Sequence, residues 1–169
     1  MNIVLIGMPT AGKSTVGVIL AKVKGFDFVD SDLVIQSQEK RLLKDIIEQE
    51  GIDGFINIEN RINASLSFDH SVIATGGSVI YGREAMKHLR NIGKVIYLKL
   101  SFETILKRLE NVRQRGVVLR ENQTLLQLYQ ERCPLYETYA DIIIDAENFE
   151  IEELVIEILK QLIDKKNCF

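Results

Sequence analysis

The stretch Gly7-Met8-Pro9-Thr10-Ala11-Gly12-Lys13-Ser14 constrains this chain more than any other segment. It fits G-x-x-x-x-G-K-[ST] at every position and directly follows the apolar run Ile3-Val4-Leu5-Ile6. Two glycines let the backbone curl until successive N–H groups converge on one point. A helix opening near the lysine aims the positive end of its dipole at the same place. A strand–loop–helix unit of this kind cradles polyphosphate, so the sequence predicts a nucleoside triphosphate site. Within it, Lys13 is expected to reach the β- and γ-phosphates, and Ser14 to place its hydroxyl on Mg²⁺.

Beyond this loop, short apolar runs alternate with longer amphipathic segments. The runs are Ile3 to Ile6, Phe26 to Val29, Val72 to Ala74, Val95 to Leu98 and Ile142 to Ile144. Apolar residues on consecutive positions, many of them β-branched, predict parallel strands buried on both faces. Ile151, Leu154, Val155, Ile158, Leu159, Leu162 and Ile163 recur in steps that fit one helix face, with Glu150, Glu152, Glu153 and Glu157 largely on the other. The expected class is therefore α/β, with helices flanking a parallel sheet. In such sheets ligands bind beyond the carboxyl ends of the strands. The chemically interesting residues follow strand ends, which predicts one shared site.

Composition narrows the partners. The 169 residues fit one domain, and 21 Lys and Arg stand against 24 Asp and Glu for a net charge of −3. That balance argues against nucleic-acid binding. No apolar run approaches a membrane span, and the opening residues lack the basic region of a secretory leader. Cys133 and Cys168 are too few for a disulfide framework and suit a reducing compartment. A monomer in the cytoplasm is the expected setting, and both His70 and His88 read as surface residues.

Val29-Asp30-Ser31-Asp32 places two carboxylates at the second strand's end. Asp30 is a candidate to hold Mg²⁺, directly or through water, and Asp32 to accept or orient the proton of an acceptor hydroxyl. Asp30 or Ser31 also suits a helix N-cap, a role compatible with chemistry. After the third strand, Thr75-Gly76-Gly77-Ser78 offers bare backbone that another molecule can approach closely.

Taken in this order in so short a chain, these elements resemble the shikimate kinase family. The likeness includes the phosphate loop from Gly7 to Thr15, the Asp-x-Asp pair Asp30 and Asp32, and the turn from Ala74 to Ser78. Arg132-Cys133-Pro134-Leu135-Tyr136, followed by Ala140-Asp141, completes it. It implies a P-loop kinase fold with a five-stranded parallel sheet, a substrate-binding helical region at about 31–66 and a lid at about 111–121. It further implies that ATP and Mg²⁺ are used, with Gly7, Thr10, Ala11, Gly12, Lys13, Ser14 and Thr15 around the phosphates. By the same resemblance Arg108 packs on adenine, and lid residue Arg115 neutralises transition-state charge. Lys13, Asp32 and Arg115 are then the catalytic set, and Ser14 and Asp30 the metal set. Gly76, Gly77, Ser78 and Arg132 join Asp32 around a small hydroxylated acceptor. Arg113 and Arg120 read as solvated surface.

The departures from the family pattern cluster on the acceptor side. Ile56 stands where the family has an arginine that grips the carboxylate of shikimate, and an isoleucine cannot make paired charged hydrogen bonds. Ser78 replaces a third glycine, and the lid's usual Arg-Pro is Arg115-Gly116. Arg61 and Lys40 are nearby basic residues, but neither falls at the family position. Two acceptors remain open at this point: shikimate held by Arg132, or a neutral ring polyol of the inositol or inosose type. A nucleotide-binding module without catalysis is a third reading. Loss of Lys13, Asp30, Asp32 or Arg115 would mark it, and all four are present.

Overall fold

The computed structural model describes residues 1–110 and 119–164. Its five strands are β1 (Asn2–Ile6), β2 (Asp27–Asp30), β3 (Ser71–Ala74), β4 (Gly93–Lys99) and β5 (Ile142–Asp145). They form one parallel sheet in the order β2-β3-β1-β4-β5. Around it lie α1 (Lys13–Lys24), α2 (Ser31–Glu39), α3 (Leu43–Ala64), α4 (Arg83–Ile92), α5 (Phe102–Glu110), α6 (Leu125–Tyr139) and α7 (Ile151–Asp164). The chain leaves β1 toward β2 on one side and returns to β4 on the other, so the order reverses beside β1. This crevice is the usual ligand position in an open α/β sheet.

Strand burial follows strand position. Every residue of β1 and β3 is buried, as central strands covered on both faces require. The terminal strand β5 instead alternates buried and exposed positions, with Ile143 48% accessible. The apolar run Ile142 to Ile144 thus overstates its burial. An edge strand has one uncovered flank, which the residue string does not reveal. Asp141 pins this edge: its Oδ2 accepts from the Val95 backbone N–H at 2.9 Å, while its own N–H donates to the Val95 carbonyl.

The expected helical region appears as α2 and α3. Helix α3 is broken at Gly51, whose φ of 69° and ψ of 179° are not helical. Ile35, Ile46, Phe55 and Ile62 form a small core of their own beneath these two helices. That core fixes which face of α3 looks into the site. Residues 111–118, which hold Arg113, Arg115 and most of the expected lid, lie outside the described residues, as does Cys168.

Candidate active site

The loop after β1 is built as an anion cradle. Gly7 (φ 146°) and Gly12 (φ 92°) sit where side chains are disfavoured, and a Cβ on Gly7 would meet the Leu98 carbonyl oxygen at 2.8 Å. Thr10 adopts φ 66° without being glycine, a strained conformation of the sort functional loops retain. Gly12 caps α1 with no side-chain hydrogen bond, so no side chain of the cap occupies the first turn of that helix. Its N–H groups therefore suit phosphate oxygens. Lys13 is 8% exposed and donates from Nζ to the carbonyls of Gly7 (2.8 Å) and Met8 (2.9 Å), which holds its ammonium within the loop. Ala11 lies buried in the loop and Thr15 exposed on the helix. Arg108, reaching from α5, donates to the Thr10 carbonyl at 3.2 Å.

The donor set fits Mg²⁺. Ser14 Oγ donates to Asp30 Oδ2 at 3.0 Å, placing a hydroxyl and a carboxylate side by side at the ends of α1 and β2. Hard oxygen donors in small number, completed by phosphate and water, suit this ion better than an all-protein cage. Among the described residues no group of three or more His, Cys, Asp or Glu converges as such a cage. Asp30 also caps α2, its Oδ1 accepting from the Asp32 N–H at 3.0 Å. Both roles foreseen for Asp30 are therefore compatible in one side chain.

Gly76 and Gly77 form the wall between the phosphate loop and a second cleft. A Cβ on Gly76 would collide with Glu59 Oε1 and Asp32 Oδ1, so two carboxylates converge on that glycine. A Cβ on Gly77 would lie 3.0 Å from both Arg132 and Pro9. Tyr136, stacked on Tyr97 at 5.0 Å, donates its hydroxyl to the Gly77 carbonyl and fixes the turn. A narrow cleft, partly open to solvent, adjoins it. Ile52, Phe55 and Ile56 of α3 face Ser78, Arg120 and Arg132 across it. Arg132 is only 4% exposed, and its guanidinium carbon lies 5.4 Å from the centre of the Tyr81 ring, with Nε donating to the Tyr81 hydroxyl.

Glu59 and Tyr81, which stand beside this cleft, were given no role from the sequence. Glu59 is 1% exposed and accepts from Ser78 Oγ at 2.6 Å, while its Oε1 is buried with no hydrogen-bond partner. The signal existed: Ile52, Phe55, Ile56 and Glu59 recur at helical spacing, so an acid shares the buried face of α3. Tyr81 gave no comparable signal. Arg120, read as solvated surface, is exposed as expected, its side chain 54% accessible, and it also lines the cleft. Arg61 and Lys40 do not line that cleft; Arg61 pairs with Glu39 at 2.6 Å. His88 is half-buried against the Leu66 carbonyl, whereas His70 is exposed as expected.

Burial, with Asp32 nearby, raises the Glu59 carboxyl from 4.5 to about 7, against the lowering pull of Ser78, Arg132 and Lys13. A raised acid favours the folded chain while protonated. Stability from this group is full below about pH 4.5 and is lost as pH climbs through about 7, by about 3 kcal/mol in total. Glu59→Gln is expected to flatten that dependence. Denaturant midpoints at pH 5 and pH 8 should differ clearly less in the variant than in the wild type; equal slopes would mean Glu59 is ionised throughout.

Fold and site together define a P-loop phosphotransferase: a phosphate cradle and Ser–Asp pair on one side of a glycine wall, an acceptor cleft on the other. The family model for shikimate kinase matches residues 9–163. A shikimate kinase from Thermodesulfovibrio yellowstonii is 39% identical over 163 residues, covering 95% of this chain and 94% of its own. One from Dictyoglomus turgidum is 34% identical over 164 residues, covering 94% and 95%. Among solved structures, shikimate kinase from Acinetobacter baumannii in complex with shikimate superposes with a TM-score of 0.89 at 34% identity, covering 98% of this chain and 94% of that one. The chain belongs to the shikimate kinase family. Its reaction class is phosphoryl transfer to a hydroxyl group. No helix among the described residues is long and apolar enough to cross a membrane.

Proposed function

We propose that this chain transfers the γ-phosphoryl group of ATP to a hydroxyl of shikimate, with Mg²⁺ held by Ser14 and Asp30. The observation that carries the choice of acceptor is Arg132, a guanidinium 4% exposed in a cleft one glycine away from the phosphate loop. A buried arginine lining the cleft suits an anionic group on the substrate, because charge-assisted hydrogen bonds to a carboxylate are the strong ones. A neutral polyol would not use that capacity.

In this reading the acceptor hydroxyl lies by Gly76, within reach of Asp32. Its oxygen bonds to the γ-phosphorus, the bond from that phosphorus to the β–γ bridging oxygen breaks, and ADP leaves. Asp32 takes the hydroxyl proton. Lys13 and the N–H groups of the loop hold the phosphate oxygens, with Mg²⁺ screening their charge when bound. Arg108 is assigned to adenine and Arg115 to the phosphates through the family likeness, and the contact of Arg108 with the Thr10 carbonyl supports the first. The bare backbone of Gly76 and Gly77 lets the ring approach without a Cβ in its path.

The test is ADP release with shikimate and with neutral cyclitols at saturating Mg²⁺ and ATP. Shikimate is expected to give the highest kcat/KM by at least about tenfold, the value of one charged contact. A neutral cyclitol that outranks it would overturn the choice of acceptor. ATP binding with no transfer to any of them would point to the non-catalytic module.

A further inference from the structure

Among the described residues, the cleft is lined by two guanidiniums, Arg120 and Arg132, and by no Asp or Glu. Two guanidiniums along one cleft suit an anion, with Arg120 held by an exchangeable ion pair to Asp53. The position of Arg120 is specific. Its Nη2 donates to Asp53 Oδ1 at 2.9 Å. Asp53 lies three residues before Ile56 on α3, so the two share one side of that helix. The Asp53 pair therefore brings the guanidinium to the stretch of α3 from which an arginine side chain is missing.

The Arg120 backbone is tethered to the same side of the cleft. Its N–H donates to Gln123 Oε1 and its carbonyl accepts from the Gln123 N–H at 3.0 Å. Gln123 Nε2 donates to Glu131, which also accepts from the Tyr81 hydroxyl, and that hydroxyl accepts from Arg132. One hydrogen-bonded chain thus links the turn bearing Arg120 to the other guanidinium. The Asp53 pair itself is exposed on both sides and adds little stability. A carboxylate in the cleft can exchange for it.

We propose that Arg120 is the second carboxylate-binding guanidinium of this chain, facing the substrate's acid group together with Arg132 and compensating for Ile56. This deepens the reading of shikimate as acceptor and rests on it. Charge recognition is moved from α3 to the turn before α6, while the apolar Ile52, Phe55 and Ile56 wall contacts the ring.

The experiment compares the intact wild type with Arg120→Ala, on shikimate and on its carboxyl-reduced analogue, in which –CH₂OH replaces the carboxylate. Arg120→Ala is expected to raise the KM for shikimate about tenfold or more, as loss of one charged contact does. The KM for the reduced analogue and for ATP should stay within about twofold on the same basis, since neither offers Arg120 a carboxylate. Adding Ile56→Arg to Arg120→Ala should bring the shikimate KM back toward wild type, which a merely structural role for Arg120 does not predict. A wild type that prefers shikimate, with an Arg120→Ala KM unchanged or raised equally for both acceptors, overturns this inference and leaves the acceptor reading intact. A wild type that prefers the reduced analogue overturns both.

Discussion

Replacing Lys13 with methionine is expected to lower kcat by about a hundred- to a thousandfold, the usual cost of removing one preorganised charged donor from a developing phosphoryl charge. Methionine keeps much of the length and apolar stem of lysine but has no ammonium. In the folded chain that ammonium donates to the carbonyls of Gly7 and Met8, so the variant loses two hydrogen bonds, each worth about 1 kcal/mol. The loop's remaining supports are backbone ones: the Ala11 N–H donates to the Met8 carbonyl at 3.1 Å and Gly12 caps α1. The fold should therefore persist while transfer fails. Steady-state ADP release, alongside a thermal melt of the same sample, separates the two effects. A kcat near wild type in a folded variant would remove Lys13 from the catalytic set.

The second large effect belongs to Asp32. Asp32→Asn is nearly isosteric, and the cap of α2 survives because Asp30 supplies it through the backbone N–H of residue 32. What changes is the capacity to accept a proton from the acceptor hydroxyl. A positioned acid–base group contributes about a hundred- to ten-thousandfold, so kcat should fall by at least about a hundredfold. KM for ATP should hardly move, since the phosphate loop is untouched. A rise in KM for shikimate with kcat preserved would instead show that Asp32 only orients the ring. The convergence of Asp32 and Glu59 on Gly76 makes this position sensitive to charge as well as shape.

Both predictions concern residues readable from the sequence, and the reason is local. The phosphate loop is encoded in eight consecutive residues because backbone torsion, helix start and lysine placement are short-range matters. The same holds for Asp30, whose cap on α2 and contact with Ser14 both follow from its place between β2 and α2. The sheet was legible because β1 and β3 are buried throughout, and continuous apolar runs report that condition. At β5 the run misled, since Ile143 faces outward on an edge whose lack of cover depends on strand order.

The acceptor side was legible only in part. Arg132 and the Gly76–Gly77 turn were marked by their motifs, and Ile56 by its departure from one. The consequence of that departure lay elsewhere in the chain. Glu59 reaches Ser78 across 19 positions, and Arg120 reaches Asp53 across 67. Those pairings depend on how α3 and the turn before α6 are registered against the sheet.

The sequence alone therefore determined the phosphate-loop half of this protein: a glycine loop with its lysine, serine and aspartate, set at the end of a buried parallel strand. Tertiary structure alone decided which side chains line the cleft beside the glycine turn, lifting the Glu59 carboxyl by burial and bringing a surface arginine to its rim through Asp53. The physical reason is range. Torsional and dipolar requirements are met by neighbours in the chain, whereas charge complementarity is met by whatever the packed core brings within reach.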